Sequence, residues 1–117
     1  MARFPRRARL TKPGEFQATL STGKRHHERW LTAAVSANTL GHPRLGLAIA
    51  KKAVGLATQR NRIKRKIRES FRAHQPCLPA VDVVILARSG CAELSAAELD
   101  HSLERLWTRI AASSPRS

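Results

Sequence analysis

Residues 60–72 read RNRIKRKIRESFR, and the spacing inside this stretch decides what kind of fold the chain can adopt. At about 100° per residue, Ile63, Ile67 and Phe71 fall within an arc of roughly 80°, with Arg60 near its edge. The opposite arc, roughly 60° wide, holds Asn61, Arg65, Arg68 and Arg72, with Arg62, Lys64 and Lys66 on its flanks. The spacing predicts one helix with a dry side seated on a core and a cationic side left facing out. Glu69 stands to one side, spaced to pair with Arg65 or Arg62. A solvated basic face is the simplest reading of any charge run. So many like charges on a short helix repel one another unless an anion screens them, and that cost favours a phosphate-bearing partner.

The rest of the composition points the same way. A chain of 117 residues suits one domain with a real core, and a hydrophobic fraction of 42% excludes wholesale disorder. The formal net charge of +14 and a pI near 11.7 place it among nucleic-acid binders. Residues 1–72 carry 18 Lys or Arg against Glu15, Glu28 and Glu69, whereas residues 73–117 carry four against five acids. A polyanion is therefore expected across the N-terminal two-thirds, held with an affinity that falls steeply as salt rises.

Other chemistries find little support. Cys77 and Cys91 lack CxxC spacing and nearby histidines, so two reduced thiols are expected and structural zinc is not. His26, His27, His42, His74 and His101 form no metal-binding pattern. The start, MARFPRRARL, is basic but has no apolar segment behind it. No apolar run reaches the roughly 18 residues of a membrane span, so no membrane association is expected and the cytoplasm is the expected location.

Along the chain, residues 1–8 read as a flexible basic arm and 113–117 as a disordered tail, leaving one domain over 9–112. Thr11 is placed to cap a short helix that tolerates Pro13, shows Phe16 and Leu20 on one face and stops at Gly23. Residues 29–37 and 44–50 read as strands, and the turn-forming Asn38 to Pro43 between them suggests a hairpin. Thr58 is the expected cap of the cationic helix, with Pro76 and Pro79 bounding its far end. VDVVILA at 81–87 is hydrophobic enough for a central strand. Ser95 and Glu98 form a capping-box pattern ahead of Leu99, Leu103, Leu106 and Ile110, with Trp107 beside that stripe and expected in the core. Trp30 has no clear assignment. Asp82, the lone acid of its strand, is expected to satisfy backbone or pair with an arginine. The order predicts a small α/β layer, a sheet covered by helices.

KKAVGLATQRNRIKRKIRESFR at 51–72, followed by PAVDVVILAR at 79–88, closely resembles the protein subunit of bacterial ribonuclease P. The likeness extends over RLTKPGEF at 9–16 and GHPRLGLAIAKK at 41–52 to the last helix. It implies a two-layer α/β sandwich of order αββ(β)αβα, like the second domain of ribosomal protein S5, with a third short strand in a mixed four-stranded sheet. It also implies a left-handed crossover between the strands at 45–50 and 81–87, against the general right-handed preference.

In that family a catalytic RNA hydrolyses the phosphodiester at the 5′ end of precursor tRNA with magnesium, bound mainly by RNA and substrate. The small basic protein completes the holoenzyme, with no obligate protein partner. Carried over by resemblance, Arg60, Asn61, Arg62, Lys64, Arg65 and Arg68 face the RNA subunit together with Lys51 and Lys52, and Arg72, on the same cationic stripe, is expected to bind RNA with them. Phe16 lines a cleft for the single-stranded 5′ leader, with Arg9 beside it, and Phe16 as a core residue is an equal alternative. The chain departs from the family at Leu20, where relatives often carry a second aromatic, and it has no tyrosine. Leader binding is then expected to lean on phosphate contacts more than on stacking.

The residues leave three other readings to compare: a DNA-binding helix-turn-helix, an RNA-binding protein with no linked reaction, and a nuclease acting without RNA. The first lacks a helix just ahead of residue 60, and the third lacks converging carboxylates.

Overall fold

The computed structural model describes residues 9–10 and 12–113. The arm assigned to 1–8, the tail beyond 113 and the Thr11 cap lie outside the described residues. Helix α1 (Pro13–Thr22) precedes strands β1 (Lys24–His27), β2 (Leu31–Ala37) and β3 (Arg44–Ala48). Helix α2 (Ala57–His74), strand β4 (Val81–Ala87) and helix α3 (Ala96–Ala112) complete the chain. The sheet order is β1-β2-β4-β3, antiparallel except for the β3–β4 pair, which is parallel. The expected α/β sandwich with a mixed four-stranded sheet and a third short strand is found.

The expected hairpin of the second and third strands is not. β4 lies between them, and β2 makes its hairpin with β1 instead, where Glu28 N–H donates to the Leu31 carbonyl at 2.8 Å. The reason is hydrophobicity. Val81 to Ile85 and Leu31 to Val35 are buried at every position, so both strands need neighbours and cover on both faces. β3 reaches β4 in parallel, which requires a crossover, and α2 supplies it.

Side chains of alternating parity divide the core between the sheet faces. Leu31, Ala33, Val35, Val81, Val83 and Ile85 meet α2 and α3, while Ala34 and Val84 on the other face meet Leu10 and, from α1, Phe16 and Leu20. α2 buries Ile63, Ile67 and Phe71 completely, worth ~1.5–3 kcal/mol each. Its start differs from expectation: the N-cap is Leu56, one residue before Ala57, so Thr58 lies in the first turn and no side chain caps it. Beside it, Arg60 Nη1 donates to the Val54 and Gly55 carbonyls at 3.0 and 2.9 Å and ties the connection to the helix.

α3 carries the capping box that its sequence announces, with Glu98 N–H donating to Ser95 Oγ at 3.1 Å and Ser95 N–H to Glu98 Oε1 at 2.9 Å. Trp107 is core, as expected. It meets Phe71 edge-on at 5.8 Å and donates from Nε1 to Ser70 Oγ at 2.8 Å.

His26 is the buried residue of β1, opposite Ala33. Burial, then Lys24, Arg109 and His27, hold its imidazole pKa below the ordinary value. The folded chain thus prefers neutral His26, while the unfolded chain takes up a proton near pH 6.5. Stability that is complete above that pH falls as pH drops toward the lower folded pKa. Thermal unfolding followed by circular dichroism is expected to show a midpoint that declines from pH 7 to pH 5, with a shallower decline in His26→Gln.

Candidate nucleic-acid interface

The strand directions gather the basic residues. β3 and β4 end, and β2 begins, at one end of the sheet. From β3 the chain turns through Lys51 and Lys52, both exposed, with the Ala53 and Val54 amides donating to the Ala50 carbonyl at 3.1 and 3.0 Å. Val54, 1% exposed, anchors this connection in the core. The lysine pair and the first turns of α2 therefore share that end of the molecule.

The fate of each cationic side chain on α2 follows from its position around the helix. Lys66 pairs with Asp100 of α3 at 3.2 Å, and Arg62 Nη2 donates to the Ala92 carbonyl at 3.4 Å. Arg65 pairs with Glu69 at 3.4 Å, with side-chain exposures of 77% and 50%. An exposed i,i+4 pair of this kind is worth only ~0.3–0.5 kcal/mol and gives way to a phosphate. Arg72 turns to a separate depression beside Gly41, His42 and Pro43. Among the described residues, no hydrogen bond or ion pair engages the side chains of Lys51, Lys52, Asn61, Lys64 or Arg68. Two cations of the helix thus meet carboxylates of the protein, while Lys64 and Arg68 do not and stay open to solvent.

Lys64 and Arg68 meet Arg9 and Phe16 around a groove of about 280 Å³ at the β3 edge. Leu10 N–H donates to the Leu45 carbonyl at 2.8 Å and Arg9 bridges to Leu45, so the chain before α1 lies along the free edge of β3. The Phe16 ring rests on Gly46: a Cβ there would stand 2.8 Å from Phe16 Cε2, so a side chain at 46 would push the ring away. The half-buried Phe16 ring packs on the sheet and at the same time walls the groove. Leu20 packs in the same small cluster and does not line the groove. Sequence spacing joins Lys64 to Arg68 but carries nothing that would bring residues 9–16 beside them. Gly46 and Leu10 carry no motif that marks them.

One ion-pair cluster fixes the helix that bears Phe16. Arg44 donates from Nε and Nη2 to the two Asp82 oxygens at 2.9 Å each, and from Nη1 to Glu15 of α1 at 3.1 Å. Asn38 Nδ2 donates to Asp82 Oδ1 at 2.9 Å. The hydrogen bonds to Asp82 raise the Arg44 pKa well above its ordinary value, against the opposing effect of burial. Asp82 therefore pairs with an arginine, as its isolation suggested. Among the described residues, no three His, Cys, Asp or Glu side chains gather where they could hold a metal.

Comparison with known proteins agrees with this geometry. The ribonuclease P family model matches residues 4–111. The chain is 45% identical over 114 residues to the ribonuclease P protein component of Yersinia pestis (strain Pestoides F), covering 97% of this chain and 96% of that one. It is 46% identical over 106 residues to that of Escherichia coli O139:H28, covering 91% and 89%. Among solved structures, the ribonuclease P protein of Staphylococcus aureus superposes with a TM-score of 0.81 at 32% identity, covering 89% of this chain and 94% of that one. That of Thermotoga maritima gives 0.78 at 28%, covering 87% and 96%. With the sequence match spanning nearly every residue and the fold shared, the chain belongs to the ribonuclease P protein family.

Proposed function

We propose that this chain, as the protein component of a ribonuclease P ribonucleoprotein, binds the catalytic RNA through α2 and grips the 5′ leader of precursor tRNA in the groove at the β3 edge. One observation carries the reading: Lys64 and Arg68, without protein partners, project from the cationic helix into the groove walled by Phe16. Cations on that flank neutralise phosphates of two strands brought close together, lowering the repulsion that opposes their assembly. Lys51, Lys52 and Arg65 extend the same field over the RNA subunit, Asn61 offers it a neutral amide for hydrogen bonding, and Arg60 and Arg62 serve it from the helix start.

The RNA performs the hydrolysis, and magnesium is bound mainly by RNA and substrate. The protein's part is to hold phosphates in the arrangement those ions need. A helix-turn-helix reading would require a helix just ahead of α2, and the chain supplies β3 there. No helix among the described residues is long and apolar enough to cross a membrane, and the cytoplasm, where precursor tRNA is made, is the proposed location.

Phe16→Ala tests the groove. With one stacking surface worth roughly 1–3 kcal/mol per base, the variant is expected to bind precursor tRNA with a leader about tenfold more weakly while mature tRNA binds as before. Equal losses on both substrates would count against a leader site.

A further inference from the structure

We propose that Trp30, with Arg29 laid on its ring, is a second stacking platform, one that receives an unpaired base of the folded RNA subunit on the opposite flank of α2 from the Phe16 groove. This rests on the RNA-binding reading above and adds a contact to it. Trp30 stands at the β1–β2 turn, where its carbonyl accepts the Arg88 N–H at 2.9 Å. Its ring lies against Gly90, whose φ of +93° and whose missing Cβ, which would stand 2.4 Å from Cζ3, keep that place for the indole. Unlike Trp107 the ring is only partly buried, and the Arg29 guanidinium carbon sits 4.7 Å from its centroid.

The surroundings suit a nucleic acid. Arg62 reaches the Ala92 carbonyl and Arg88 the Glu28 carbonyl, each at 3.4 Å, so both guanidinium groups hold weak neutral contacts that a phosphate outcompetes. Of the nearby acids, Glu28 is committed to Arg105 and Arg109, leaving Glu93 against Arg29, Arg62 and Arg88. Arg62 lies roughly 160° around the helix from Lys64. A leader lying in the groove beside Lys64 is on the wrong flank to reach Trp30, whereas a folded RNA seated across the crest of α2 has elements on both sides. An aromatic face with a stacked guanidinium accepts any base, so the contact is tolerant of sequence.

Tryptophan emission of the full chain, titrated with ribonuclease P RNA, tests this. Trp107 is 2% exposed and hydrogen-bonded to Ser70, so a change on binding reports Trp30. The emission is expected to be quenched at saturation, and Trp30→Leu to abolish the quench and weaken the complex about tenfold. The salt slope should not change, and Trp30→Phe should recover most of the affinity. Unchanged emission in a saturated complex would overturn the proposal, as would a folded Trp30→Leu chain that binds like the parent. Quenching by polyglutamate and not by RNA would assign the platform to an acidic protein and overturn it too. If Trp30→Leu does not fold, the quench in the parent chain and the affinity of Trp30→Phe decide. Loss of salt-dependent RNA binding after removal of Lys64 and Arg68 is a separate result that concerns α2 alone.

Discussion

Replacing Lys64 and Arg68 together by alanine is expected to weaken binding of the catalytic RNA roughly thirtyfold, from ~1 kcal/mol lost per phosphate contact. The plot of log affinity against log salt should become shallower by roughly 1.4–1.8, two contacts at 0.7–0.9 each. These two residues are chosen over Arg65 and Lys66 because they have no carboxylate partner and share the groove with Phe16. Arg68 is exposed and Lys64 half-exposed, so stability should stay within about 0.5 kcal/mol of the parent. Filter binding or fluorescence anisotropy across a salt series reads both quantities. An unchanged slope would mean that neither side chain touches a phosphate.

The largest effect on folding is expected from Arg44→Met. The Arg44 and Asp82 side chains are 12% and 9% exposed, and removing one member of a buried pair leaves the other uncompensated, at a cost of ~3–5 kcal/mol. A domain of this size has only about 5–15 kcal/mol in hand, so urea unfolding should show roughly a fifth or more of the stability gone. The loss also frees Glu15, which loosens α1 and with it Phe16. Adding Asp82→Leu should restore much of the stability, since an apolar pair of similar volume replaces a buried ion pair at little cost. Leader affinity should not return with it, because the tether from Arg44 to Glu15 stays absent. Full recovery of leader affinity in the double variant would show that this tether does not position Phe16.

How much of this was legible in the sequence depended on the length and strength of each pattern. α2 and α3 could be read at the level of single residues, because three or more turns repeat the same apolar spacing and Ser95 and Glu98 mark a start. β4 was legible as central because its run has no exposed side to spare. The hairpin reading of residues 29–50 failed where pattern is weakest. KRHH at 24–27 offers one buried residue, a histidine, and nothing in its hydrophobicity marks it as the strand that pairs with β2. The start of α2 was misplaced because an arginine side chain, not a capping hydroxyl, organises the approach to it. The site divides the same way. The cationic stripe lay open in thirteen consecutive residues, whereas Arg9 and Phe16 came only from resemblance, and their meeting with Lys64 and Arg68 is a product of chain topology. The partnership of Arg44 with Asp82 spans 38 residues, and only the register of β3 on β4 makes them neighbours.

Cleavage of precursor tRNA at low magnesium is the most direct measure of whether charge on α2 supports a reaction carried out by RNA. Three preparations suffice: the catalytic RNA alone, the RNA with the parent chain, and the RNA with the Lys64→Ala, Arg68→Ala chain. The expected result is weak cleavage by RNA alone, strong cleavage with the parent chain, and a return toward the RNA-alone level with the double variant, reversed by raising magnesium. Cleavage by the parent chain prepared free of nucleic acid, or full activity of the double variant at low magnesium, would contradict it.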